Sequence, residues 1–142
     1  MERGDFCEKE VSMPMIKRFE DIRAWQEARI LTQKVYASTT VSGFAKDFGL
    51  RDQIQRAVVS VMNNIAEGFD CESGPEFARF LGYARRSTVE AQSILYVALD
   101  LRYITSETFD VLYEQARIAK ALVGALKRSL DTRQPRRSNP RS

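Results

Sequence analysis

The chain of 142 residues contains no histidine. Histidine is the commonest general base near neutral pH and the commonest metal ligand, so its absence removes the main route to both roles. Bundle proteins that hold a di-iron centre use Glu with Glu-x-x-His pairs, and no such pair can form here. Cysteine is also scarce. Cys7 and Cys71 stand far apart in no ligand spacing, and neither has an imidazole to activate it as a nucleophile. Two distant thiols fit a reducing cytoplasm, which is the expected location. No glycine-rich phosphate loop follows a strand, because no strand pattern is convincing. Apolar runs extend only a few residues, too short to span a bilayer. The N-terminus mixes Glu2, Arg3, Asp5, Glu8, Lys9 and Glu10, and has no apolar block of the kind a secretion signal carries. These gaps lead to the expectation of no catalysis, no metal and no cofactor.

Net charge is also small over most of the chain. The total is +3. Acids and bases balance over residues 19–130, and the excess lies in Arg133, Arg136, Arg137 and Arg141 near the C-terminus, opposed by Asp131. Residues 131–142 read as a disordered, Arg-rich tail that solubilises the chain or holds phosphates. Residues 1–18 read as a flexible extension, with Met13 and Met15 just before the first periodic segment.

What the chain does have is helical periodicity. Ile22, Trp25, Ala28, Leu31 and Val35 predict a first helix to about Thr39, with Asp21 as its N-cap. The hydroxyl-rich stretch Ser38-Thr39-Thr40-Val41-Ser42-Gly43 ends it. A second helix is predicted from about Ala45 to Glu67, stopped by Gly68, with Leu50, Ile54, Ala57, Val58, Val61 and Ile65 on its apolar face and an irregular first turn near Gly49. Ser73-Gly74-Pro75-Glu76 combines a capping box with a first-turn proline, and opens a third helix that reaches Leu101. A fourth begins at Thr105 or Ser106 and carries Phe109, Leu112, Ala116, Ala119, Val123, Leu126 and Leu130. Long helices with short joints favour antiparallel neighbours. The expected fold is all-α, an up-down-up-down four-helix bundle over 19–130.

Two polar stripes accompany the apolar faces. Gln53, Arg56, Ser60, Asn64 and Glu67 recur at helical spacing on the second helix, and Arg79, Tyr83, Arg86 and Glu90 on the third, with Ser87 beside them. They can form a network between helices or an inter-subunit seam, or they can be solvated faces with ordinary local pairs. Glu67 with Glu90 alone makes a poor cation site. Arg51, Arg56, Arg79, Arg85 and Arg86 form a nucleic-acid surface if the fold gathers them, and otherwise are dispersed charge balanced by Asp52, Glu76 and Glu90.

Several strings resemble a known group. Phe19-Glu20-Asp21-Ile22 with Ala24-Trp25-Gln26 resembles its opening. Gly49-Leu50, Gln53-Ile54, Arg56-Ala57, Ser60-Val61 and Asn64-Ile65-Ala66-Glu67-Gly68-Phe69 resemble its central signature. Glu76-Phe77, Arg79-Phe80-Leu81, Ala84, Ser87 and Glu90 resemble its third helix. The group is the bacterial four-helix-bundle proteins named after the 23S rRNA intervening sequence, and the resemblance covers about 19–130. It implies a ring, a homopentamer, with no established enzymatic activity. It also implies structural or interface roles for Gln53, Ser60, Asn64, Glu67, Ser87 and Glu90. Accessory proteins of diversity-generating retroelements are similar in fold, which extends the expected partners to RNA or DNA, through Arg51, Arg56, Arg79, Arg85, Arg86, Arg133, Arg136 and Arg137, and to a reverse transcriptase. The chain departs from the group in having Phe44-Ala45-Lys46 where a proline is usual, and Arg86 where a glycine is usual.

Overall fold

A computed structural model describes residues 16–133. Every regular element among the described residues is helical: a 3-10 turn over Phe19–Asp21, then α1 (Arg23–Thr39), α2 (Ser42–Lys46), α3 (Phe48–Asp70), α4 (Gly74–Asp100) and α5 (Ser106–Arg133). The expected extension 1–18 falls mostly outside the described residues, as does the tail beyond Arg133. α5 continues through Arg133, past the expected boundary at 130.

Local chemistry explains most helix ends. Ser73 Oγ accepts from the Glu76 N–H at 3.2 Å, which satisfies one of the free donors at the start of α4. Thr105 Oγ1 does the same for Thr108 N at 3.1 Å as α5 begins. α4 ends with Arg102 in the left-handed region at φ 61°. There Tyr103 N donates to Ala98 O and Arg102 N to Leu99 O, the paired bonds of a Schellman motif.

Three expectations require correction. Asp21 does not cap α1; it lies in the 3-10 turn, and the N-cap is Ile22, with no side-chain cap. The second predicted helix is two helices. Asp47 leaves helical geometry between α2 and α3, and its Oδ1 accepts from Leu50 N at 3.1 Å to cap α3. Gly68 does not stop α3, which runs on to Asp70. Instead it lets α4 approach: a methyl group there would lie 2.8 Å from Phe80 Cβ and 2.9 Å from Phe77 Cδ1.

α3 packs against α4, α4 against α5, and α1 against both α3 and α5. One half of the core gathers Leu31, Val35, Phe44, Ile54, Val58, Leu95 and Leu112. The other gathers Ile22, Ala28, Val61, Ile65, Leu81 and Val123. Ala84, Ala91 and Ala98 are fully buried on α4, and their small side chains permit close helix approach. No helix among the described residues is long and apolar enough to cross a membrane.

Candidate functional site

The polar stripe of α3 forms one wall of an open groove of about 800 Å³. α3 contributes Gln53, Arg56, Ser60, Asn64 and Glu67; α4 contributes Ser87 and Glu90; Tyr36 closes the α1 side. Thus the six residues expected to form a network or seam line a single groove. The pairing follows from helix geometry: steps of three and four keep the α3 residues on one side, next to the apolar face that docks on α4.

The centre of the groove is internally bonded. Ser60 Oγ and Ser87 Oγ share a hydrogen bond of 3.0 Å between α3 and α4. Asn64 Nδ2 donates to Ser60 O at 2.8 Å and to Ser60 Oγ at 2.9 Å. Its rim is different. The side chains of Gln53, Arg56, Glu67 and Glu90 make no hydrogen bond or ion pair among the described residues. The groove therefore holds a satisfied centre and a ring of donors and acceptors facing outward.

The five helical arginines do not converge. Arg51 is committed near the α2–α3 junction: its Nη1 donates to Ala45 O at 3.0 Å, Asp52 sits 3.3 Å away, and its guanidinium lies 4.7 Å over Phe48. Arg56 shares the groove with Asp52, Glu67 and Glu90. On α4, Arg79 and Arg86 both lie over the Tyr83 ring, at 5.9 and 5.7 Å, and Arg79 also covers Phe80 at 5.4 Å. Arg79 pairs with Glu76 at 3.3 Å, with both side chains about half exposed. Arg85 is exposed one position from Arg86. Arg133 ends α5, and its side chain lies outside the described residues, as do Arg136 and Arg137.

Sequence reasoning missed the lysines of α5. Lys127 Cε lies 3.9 Å from where a Gly82 Cβ would be, so it crosses onto α4 beside the arginines. Its spacing of seven from Lys120 is the signal in the sequence, hidden in a charge sum because acids and bases balance over residues 19–130.

No group of three or more His, Cys, Asp or Glu side chains that could hold a metal occurs among the described residues. Cys71 is partly exposed; burial, followed by the neighbouring Glu76 carboxylate, pushes its thiol above the ordinary value and away from the reactive thiolate.

The fold and groove together define an all-helical protein with an open polar seam between two of its long helices. The chain belongs to the family of the 23S rRNA-intervening sequence protein, whose pattern matches residues 20–125. It is similar to the crystal structure of a protein of unknown function from the S23 ribosomal protein family of Bacteroides thetaiotaomicron. The two share 20% identity over 73% of this chain and 97% of the other, with a TM-score of 0.67. No curated protein matches it.

Proposed function

We propose that the chain is a non-catalytic, homo-oligomeric helical-bundle protein that associates with RNA or DNA through the phosphate backbone. The four long helices are read as an up-down-up-down antiparallel bundle, with α2 a short spur. Paired contacts support this reading. Ser60 meets Ser87 while Gly68 meets Phe80, so α3 and α4 run in opposite directions. Thr32 reaches Val58 O while Gln55 donates to Thr39, so α1 opposes α3.

The observation that carries the assembly reading is the groove rim. Gln53, Arg56, Glu67 and Glu90 present both charge signs, with no side-chain partner among the described residues. A different face of a second copy can supply partners for these groups, and a head-to-tail contact between two unlike faces closes into a ring; the family resemblance favours a pentamer. The rim also argues against catalysis. It has no histidine or cysteine, and its serine hydroxyls bond to each other and to Asn64, not to a carboxylate base.

Nucleic-acid association is supported by the arginines of α4 and by ring multiplication of weak contacts. Binding of this kind releases counterions, so affinity should fall steeply with salt. A mobility-shift series with structured RNA tests it: retardation at low ionic strength that vanishes as salt rises supports the reading, and no retardation at low ionic strength removes it.

A second reading is a protein-partner module, such as an accessory subunit of a reverse transcriptase, without direct nucleic-acid contact. Exposed Phe48, Val97 and Leu101 favour it, because the start of α3 and the end of α4 place them at one end of the seam. A pull-down whose partner survives nuclease treatment supports that reading.

A further inference from the structure

The charges of α4 and α5 are segregated along each helix. α5 carries Glu107, Asp110 and Glu114 in its first half, where Arg117 pairs with Glu114, then Lys120, Lys127 and Arg128 toward its end, with Asp131 the one acid there. This order suits the helix dipole, which favours anions at the N-terminus and cations at the C-terminus. α4 concentrates Arg79, Arg85 and Arg86 in its first half. The contact of Lys127 with the Gly82 position lays the end of α5 beside the start of α4. The two basic halves therefore lie side by side. Six cations gather there against three acids, Glu76, Glu90 and Asp131, and Glu76 is held by Arg79.

Details of the face suit a polyanion. Lys120 and Lys127 are half-buried and stand seven residues apart on one side of α5, and Lys127 reaches α4 at Gly82. Lys127 Cε comes within 3.9 Å of the Gly82 Cβ position, an ordinary contact that fixes where the side chain crosses α4. Arg79 and Arg86 are held over Tyr83, and Arg79 also over Phe80. Such an arrangement reduces the entropy lost when the guanidiniums meet a ligand, and it offers flat cationic surfaces on which unpaired bases stack. A uniform duplex phosphate binder has no use for those planes.

We infer that the α4–α5 face, built from Arg79, Arg85 and Arg86 with Lys120, Lys127 and Arg128, and bordered by Tyr83 on its α3 side, is a binding site for single-stranded nucleic acid. The inference rests on the nucleic-acid reading and deepens it by naming the face and the strand state. Glu90 and Ser87 turn toward the α3 groove, and the lysines lie on the α5 side of α4. A neighbouring copy on the groove therefore leaves the lysine side of the basic face open to the ligand.

The test is fluorescence anisotropy of the full chain with fluorescein-labelled oligonucleotides of about 20 nucleotides, single-stranded and duplex, in RNA and DNA, across a salt series. Wild type should bind single strands more tightly than duplex. Lys120→Ala with Lys127→Ala, and separately Arg79→Ala with Arg86→Ala, should each weaken single-strand binding about tenfold at low salt. Each should also flatten the salt slope by about 0.7 per side chain removed. Tyr83→Leu should weaken the single strand and leave duplex binding unchanged. Arg29→Ala with Lys34→Ala, on α1, should bind as wild type. Lys127→Met keeps most of the apolar stem without the charge and guards against misfolding, which circular dichroism checks in every variant. Tighter duplex binding overturns the inference. So does wild-type affinity in both α4 and α5 pairs while Arg51→Ala with Arg56→Ala loses binding, an outcome in which the nucleic-acid reading survives. Failure of wild type to bind any probe removes both.

Discussion

Tyr103 donates its hydroxyl proton to Asp47 Oδ2 at 2.9 Å, while the other oxygen of the same carboxylate caps α3 at Leu50 N. One side chain thus ties the end of α4 to the start of α3. The hydrogen bond to Asp47, followed by burial, raises the Tyr103 hydroxyl above tyrosine's ordinary value near 10. A raised folded-state value means the contribution is complete below about pH 10 and is lost as pH climbs through the raised value. Tyr103→Phe should therefore lower the melting temperature near neutrality, and the gap from wild type should close at alkaline pH. A gap that is constant across that range contradicts the assignment.

Gly68→Ala should destabilise the chain although alanine is the better helix former. The propensity gain is about 1 kcal/mol. The added methyl meets Phe80 Cβ, which is fixed to its backbone and cannot swing away. Overpacking of this kind costs about 1–3 kcal/mol, so a net loss of about 1 kcal/mol is expected in urea melts. A stabilised variant would show that α4 yields at that point.

Arg102 occupies the left-handed position that glycine usually fills at a helix end. Relief of that conformation is worth about 1–2 kcal/mol, offset in part by the greater freedom of glycine in the unfolded chain. Arg102→Gly should raise stability by about 0.5–1 kcal/mol in the same melts. A loss of stability would mean the arginine side chain contributes more than its backbone costs.

Features written locally were legible in the sequence. Ser73 with Glu76 opens α4 because its cap is three residues from its donor, and the stripe Gln53 to Glu67 lines one groove wall because helical spacing alone puts it on one side. Features that depend on tertiary contact were not. Gly68 reads as a stop until Phe77 and Phe80 show why no side chain fits. The break at Asp47 depends on Tyr103, distant in the chain. Asp21 has the chemistry of a cap, but the chain enters α1 through a 3-10 turn. Lys127 gains meaning only from the Gly82 position across the α4–α5 seam. A sum of charges cannot reveal that the basic halves of two helices are adjacent.

The groove reading predicts unequal effects of three leucine substitutions. Asn64→Leu removes the donor to Ser60 O and Oγ, and Glu90→Leu removes a rim carboxylate with no partner among the described residues. Both should disturb assembly or folding, seen as a shift to smaller mass or lower melting temperature. Glu114→Leu removes only an exposed pair with Arg117 on α5 and should change neither. Equal and negligible effects would mean that the groove is a solvated surface.

The most direct test of the assembly is the mass of the wild-type chain in solution by light scattering at micromolar concentration. A closed ring, five protomers by the family resemblance, is the expected result, with Asn64→Leu and Glu90→Leu shifted toward smaller species. A strictly monomeric wild-type mass would contradict the account.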